Sequence, residues 1–369
     1  MAPPRLSVAF LTSARAWRGS GVSLCHIAQG LIGRGHRVHM LAGELPVLQE
    51  FERRGLPTSR VPTKSTGLQA ARKLARALRA LEANCLVVDR PRDLRLGALA
   101  RLAHPLVLIN RYNLSRESPP RDLLSRLAYY AVRLTIFLSE SNAQQALSRA
   151  AYLRSRPYRI IPNGVDPAFQ PDSVKAGEFC ARYDLAFDDF VLAVGSLTAD
   201  KRYEFLFEVM RGLGSDAPTL VICGRGPLED RLRAQAASLQ VRVRFLGLVE
   251  TDLLPGAYTA AAIFVHACEI ETFGLSVLEA MACGCPVIAS GGGAVPEVLG
   301  DAGVLIRTND PDDYAAALRN LMVNRSLRRT LGQAAQERAR RFSLRQMQQS
   351  YADAIEQASG HVRAAPSRS

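Results

Sequence analysis

An α/β fold in two doubly wound domains is what this sequence predicts, and three observations predict it. Short apolar runs alternate with amphipathic segments from end to end, the rhythm of βαβ units and a parallel sheet. At 369 residues the chain has the length of about two domains with well-buried cores. Midway, Ile160-Ile161-Pro162-Asn163-Gly164-Val165-Asp166-Pro167 interrupts the rhythm, which then starts again. Pro, Asn and Gly at that density mark a turn and an expected hinge.

In the first half, strands are expected at 6–11, 37–41, 86–88, 106–109 and 135–138, where apolar runs end at turn or polar residues. Helices are expected near 21–33, 45–54, 68–82, 94–103, 121–133 and 141–150. After the break, strands are expected at 191–194, 219–223, 242–246, 263–265 and 287–289. Helices fall near 202–212, 228–238, 252–258, from Gly274 onward, 312–323, 325–340 and 344–358. This gives an N-terminal domain at 1–165, joined by the returning helix 344–358, and a C-terminal domain at 166–343. Residues 360–369 read as a disordered basic tail. In such sheets ligands bind beyond the carboxyl ends of the strands, so two facing sheets would share one interdomain cleft.

Composition narrows the class. Forty-eight per cent apolar and 22% charged residues is ordinary for a soluble globular protein. No apolar run approaches the roughly 20 residues of a membrane span. The first apolar run is too short for a secretory signal, and seven cysteines without paired spacing point to a reducing compartment, so a cytoplasmic location is expected. Net charge is +13, unevenly spread. Residues 1–165 hold 26 Lys/Arg against 9 Asp/Glu, whereas 166–369 hold 21 against 25. A basic first half suits an anionic partner. No nucleic-acid module is visible, so nucleic acid is not the expected partner.

The chemistry concentrates at the rims. Glu271 and Glu279 bracket the start of a helix, with Gly274 at its mouth. A helix N-terminus attracts anions such as phosphate, while carboxylates accept hydrogen bonds from hydroxyls. Together they describe a site for a nucleotide sugar. Gly195 to Arg202 follows a buried strand, and Lys201 and Arg202 there suit a diphosphate: Lys as a point charge, Arg as a fork. Gly224-Arg225-Gly226 follows the next strand and frames either a base or a plain turn. Gly291-Gly292-Gly293 follows another strand and permits close approach. In the first half, Trp17-Arg18-Gly19-Ser20-Gly21-Val22 opens a helix, with Gly19 and Gly21 letting backbone approach a ligand. It lacks the six-residue dinucleotide fingerprint, which argues against a dehydrogenase.

Jointly these stretches resemble the retaining glycosyltransferases of family 4. The match runs through Arg34–Val38, Ile161–Asp166, Gly195–Lys201, Val221–Gly226, Phe245–Gly247, Glu271–Ala289 and Gly292–Glu297. It covers about residues 5–350, and its strongest element is Glu271-x7-Glu279 followed by Ala280-Met281-Ala282-Cys283-Gly284. The resemblance implies the GT-B architecture: two Rossmann-like domains facing a cleft, the donor on the C-terminal one and the acceptor on the N-terminal one. It implies transfer of a sugar from a nucleotide sugar to a glycan or lipid-linked acceptor, in surface-polysaccharide or lipopolysaccharide assembly. By that pattern Glu271 meets the donor sugar, Glu279 the ribose, Lys201 the leaving diphosphate, and the amides of Phe273, Gly274 and Leu275 phosphate or sugar. No metal motif is evident, so no cofactor is expected and cations stand in for a divalent ion. Two positions depart from the pattern. Ser196 stands where the family usually has Arg, and Ile109-Asn110-Arg111 where it often has His. Asn110 or Arg111 could supply a donor near the sugar, or Arg111 could hold an acceptor anion. A same-fold epimerase and a catalytically weak nucleotide-sugar-binding subunit are the competing readings.

Two helices could rest on an anionic membrane. In 68–81, Leu74, Leu78 and Leu81 form an apolar stripe beside Arg72, Lys73, Arg76 and Arg79. In 123–132 the apolar residues include Tyr129 and Tyr130.

Overall fold

The computed structural model describes residues 5–113 and 123–360. Of the expected tail, Gly360 ends the last helix and 361–369 lie outside the described residues, as do the first two residues of the expected helix 121–133. The chain divides into two compact units, Met1–Gly164 with Leu344–Ser369, and Val165–Ser343.

The first unit holds β1 (Ser7–Thr12), β2 (Arg37–Ala42), β3 (Thr58–Arg60), β4 (Cys85–Val88), β5 (Val107–Tyr112), β6 (Leu134–Phe137) and β7 (Tyr158–Ile160). They form one parallel sheet in the order β3-β2-β1-β4-β5-β6-β7. Alternate residues of each strand face opposite layers, so the unit has a core on either side. On one side Val8, Phe10, Val87 and Ile109 meet Leu24, Ile27 and Leu31 of the helix Gly19–Gly33. Met347, Tyr351 and Ile355 of the last helix, Leu344–Gly360, complete that layer. On the other side Leu11, Leu86 and Leu108 meet Leu74 and Leu78 of the helix Leu68–Ala80.

The second unit holds β8 (Phe190–Val194), β9 (Thr219–Cys223), β10 (Val243–Gly247), β11 (Ile263–His266), β12 (Val287–Ser290) and β13 (Val304–Ile306). All are parallel, in the order β10-β9-β8-β11-β12-β13. Sequence order reverses between β8 and β11. Val191, Leu220, Ile222 and Ile263 pack against Leu206, Phe207 and Met210 of the helix Tyr203–Leu213 and against Tyr314 and Leu318.

Elements beyond the sequence reading include the short strands β3, β7 and β13 and the helices Ala151–Arg154 and Ser173–Tyr183. One membrane expectation is corrected. Leu74 and Leu78 have no exposed surface, because the stripe they form is the face that the helix Leu68–Ala80 lays on the sheet. Among the described residues no helix is long and apolar enough to cross a membrane.

Candidate active site

In a doubly wound sheet two neighbouring strands send their following loops to opposite sides, which opens a crevice at their carboxyl ends. In the second unit those strands are β8 and β11. The loop after β8 carries Lys201, in a single tight turn at Ala199–Lys201. The loop after β11 carries Glu271. Their side chains meet: Lys201 Nζ donates to Glu271 Oε2 at 2.5 Å, with side chains 20% and 15% exposed. Burial alone would raise the Glu271 carboxyl and lower the Lys201 ammonium. The charge of each on the other wins, so Glu271 sits well below the usual carboxylate range and Lys201 above the usual lysine range.

His266, the last residue of β11, was not singled out from sequence. Its side chain is 4% exposed, and Nε2 lies 3.4 Å from the same Glu271 oxygen. Burial lowers its pKa despite that carboxylate, which keeps the imidazole neutral near pH 7. Nδ1 has no hydrogen-bond partner. The signal in the sequence was one polar residue closing an otherwise apolar strand at its carboxyl end.

The glycine loop after β12 explains how Glu271 is held. A Cβ on Gly292 would lie 2.2 Å from the Glu269 carbonyl oxygen, and one on Gly293 would lie 2.1 Å from that of Glu271. Ala294 N–H donates to the Glu271 carbonyl at 2.9 Å. The close approach that the glycines permit is therefore backbone to backbone, and it fixes the loop bearing Glu271. Gly224 and Gly226 do the same for the neighbouring rim. Added Cβ atoms there would meet the carbonyl oxygens of Gly195 at 1.9 Å and Leu197 at 2.3 Å.

Gly274, at φ +94°, is the N-cap of the helix Leu275–Ala282 and brings no capping side chain of its own. Phe273 before it is buried edge-on against Phe342. Four residues into the helix, Glu279 Oε2 accepts from Tyr258 O–H at 2.9 Å. Burial pushes the Glu279 carboxyl up to about 7, against the lowering effect of Tyr258. The two glutamates of the motif thus sit in opposite electrostatic states.

Arg202 holds a left-handed backbone, φ 52° and ψ 44°, at the start of the helix Tyr203–Leu213. Its guanidinium pairs with Glu269 and Asn309 and lies over the Phe205 ring. It is ion-paired, so a role at a diphosphate would require it to exchange partners. Ser196 Oγ is 3.1 Å from Thr198 Oγ1.

In the first unit the expected sugar-proximal residues are inside the fold. Arg111 is 1% exposed. Its Nη2 donates to Ser23 Oγ at 2.8 Å and Asn163 Oδ1 at 3.1 Å, and its Nε to Tyr351 O–H at 3.2 Å. Arg111 is thus held inside the first unit by Ser23, Asn163 and Tyr351, and holding an acceptor anion would require it to leave these partners. Asn110 is also buried, with Nδ2 unpartnered. Gly21 has the Trp17 ring against it, 2.8 Å from where a Cβ would stand, so that glycine serves a side-chain contact. Gly19 is the first residue of its helix.

Two parallel, doubly wound units with this rim chemistry define the GT-B class of fold. Anabaena HepE, solved with UDP and glucose, superposes with a TM-score of 0.83 at 19% identity, covering 95% of this chain and 99% of that one. Residues 186–338 match the family model for group 1 glycosyl transferases, and residues 17–169 match that for glycosyltransferase family 4. The chain belongs to this glycosyltransferase family. It is similar to the sulfoquinovosyl transferase SQD2 of Arabidopsis thaliana, at 28% identity over 66% of this chain and 48% of that protein. It is also similar to O-antigen chain mannosyltransferase B of Escherichia coli, at 32% identity over 44% of each. The matched stretches thus span about half the length of these curated relatives.

Proposed function

We propose that the chain moves a sugar from a nucleotide-sugar donor to an acceptor hydroxyl with the anomeric configuration kept. The acceptor is a glycan or a lipid-linked glycan of bacterial-type surface polysaccharide or lipopolysaccharide. The observation that carries the reading is the pairing of Lys201 with Glu271 between β8 and β11, beside the helix N-terminus at Gly274. Negative charge develops on the departing diphosphate, so a fixed cation and helix-end N–H groups aimed there lower the barrier. In the free chain Glu271 neutralises Lys201. When a donor arrives, its diphosphate takes over the ammonium, and the carboxylate turns to the sugar hydroxyls. Glu279 holds the ribose hydroxyls, and Arg202 assists the diphosphate by leaving Glu269. No step in this account calls for a metal ion.

The nucleotide sugar is supported by HepE, solved with UDP and glucose, and the polysaccharide acceptor by the O-antigen chain mannosyltransferase of Escherichia coli. The basic first half suits a phosphorylated or membrane-borne acceptor, at the inner face of a membrane. The test is a labelled donor supplied with acceptor glycans, with and without EDTA. Expected are a glycosylated product that EDTA does not abolish, and turnover at least 100-fold lower in Glu271→Ala with donor binding largely kept. An isomerised nucleotide sugar without acceptor product would make the chain an epimerase. Donor binding without any turnover would make it a binding subunit.

A further inference from the structure

The loop that ends β11 gathers more ligand chemistry than sugar transfer uses. His266, Cys268 and Glu271 each bring one ligand atom to a common point, and these atoms lie within 4.8 Å of one another. They are a nitrogen, a sulfur and an oxygen. Among the described residues no other group of three or more His, Cys, Asp or Glu side chains converges in this way. Two of the ligands are walled in: His266 is 5% exposed and Cys268 1%. Glu271, whose side chain keeps 15% exposure, is the open side. The imidazole has one nitrogen toward Glu271 and its other nitrogen unpartnered.

This donor set selects a class of ion. Zinc takes imidazole, thiolate and carboxylate ligands at about 2.0–2.3 Å, and a site with three protein ligands leaves its fourth position open. Magnesium and calcium ask for oxygen ligands. The nitrogen–sulfur–oxygen group therefore suits a borderline-soft divalent ion. The Lys201 ammonium, 2.5 Å from Glu271 Oε2, holds the same carboxylate now. A divalent ion and that ammonium exclude each other by charge.

We propose that His266, Cys268 and Glu271 form an inhibitory site for zinc-type ions. The ion displaces Lys201 from Glu271, and the Cys268 sulfur binds it with loss of its proton to solvent. Nothing is oxidised or reduced. One proton leaves for each ion bound, and the carboxylate is withdrawn from the donor. The effect on transfer rests on the donor-site reading above, whereas occupancy of the site does not.

Cobalt(II) added to the full-length chain separates the two. A cobalt–thiolate site gives a charge-transfer band in the near ultraviolet, read without donor or acceptor. One equivalent is expected, chased by zinc. Cys268→Ser loses the band, keeps its transfer activity and becomes at least tenfold less sensitive to zinc. His266→Gln also loses the band, which guards against a folding defect in one variant. Cys283→Ser, at a buried thiol outside the cluster, keeps both band and zinc sensitivity. Lys201→Met, which removes the competing cation, binds cobalt at least tenfold more tightly. No band in the native chain, a band that survives Cys268→Ser, or unchanged affinity in Lys201→Met would each overturn the site.

Discussion

At the scale of single residues, the two glutamates of the motif divide their labour by environment. Glu271 has a cation beside it and stays ionised. Glu279 has the Tyr258 hydroxyl instead of a cation, and burial holds its carboxyl up to about 7. A group whose folded pKa is raised contributes stability that is fully present below its unfolded value of 4.5 and lost as pH rises to about 7. Stability from this group therefore falls between those limits, by about 1.4 kcal/mol per pH unit at most. Ribose hydroxyls donating to the carboxylate would favour the ionised form. Affinity for the nucleotide sugar is thus expected to rise with pH up to about 7 and then level off, with a proton released on binding at pH 6. Calorimetry in buffers of different ionisation enthalpy reads that proton directly. Glu279→Gln should bind more weakly, with a flat pH profile. A wild-type profile as flat as that of the variant would remove Glu279 from the ribose.

At the scale of elements, the helix Leu123–Tyr130 is built the wrong way round for a plain surface helix. Ser125, Ala128 and Tyr129 face inward, while Leu123, Leu124, Leu127 and Tyr130 are 68%, 70%, 55% and 45% exposed. Those four fall on one arc of the helix, where a water-facing element would carry polar residues. Arg126 is exposed on the same helix, Arg156 lies over the Tyr130 ring, and Arg101 bonds the Ala131 carbonyl. Leucines edged by arginines fit an anionic bilayer. Flotation with phosphatidylglycerol vesicles should recover the chain, and changing Leu123, Leu124 and Leu127 to Gln should weaken that at least tenfold without altering circular dichroism. Changing Arg72, Lys73 and Arg76 to Glu should matter less, since that helix has its apolar stripe in the core. Equal recovery on neutral phosphatidylcholine vesicles would contradict the assignment.

The same scale shows what sequence could and could not convey. Sheet-centre strands such as β1, β4, β8 and β11 read clearly, because burial on both faces demands an unbroken apolar run. β3, β7 and β13 are three-residue edge strands, and Thr58-Ser59-Arg60 carries no such run. Glu271, Glu279 and Lys201 were legible as charges placed beside strand ends. His266 and Tyr258 were not, because each sits within the apolar stretch 257–268 and declares itself only through the carboxylate it touches. The glycine loops were legible as close approaches, but not as approaches of one rim loop to the next. Gly293→Ala tests that distinction: at φ +58° and 2.1 Å from the Glu271 carbonyl, the added methyl must displace the loop. A loss of about 1–3 kcal/mol in stability is expected, with transfer activity reduced beyond what that alone explains. Full activity in this variant would mean that the loop does not position Glu271.

At the scale of the whole molecule, the chain is two cores joined by two crossings, at Gly164–Val165 and Ser343–Leu344. The last helix follows the second unit in sequence but belongs to the core of the first: Tyr351 is fully buried there, and its hydroxyl accepts from Arg111. Each unit has its own hydrophobic interior, so heating should reveal two transitions rather than one. Every residue proposed to hold the donor lies in the second unit. A nucleotide sugar at 100 times its dissociation constant adds roughly 2.7 kcal/mol to the unit that binds it. For a unit of this size that is a shift of about 5–10 °C. One transition should therefore move with ligand and the other stay. Tyr351→Ala should do the opposite. It removes a buried aromatic ring, at a cost of about 3–5 kcal/mol, and should lower the transition that the nucleotide leaves alone. Scanning calorimetry of both proteins, with and without ligand, reads all four cases. If Tyr351→Ala lowered the ligand-sensitive transition instead, the last helix would be stabilising the donor unit. If no nucleotide moved either transition, the donor site itself would be in the wrong place.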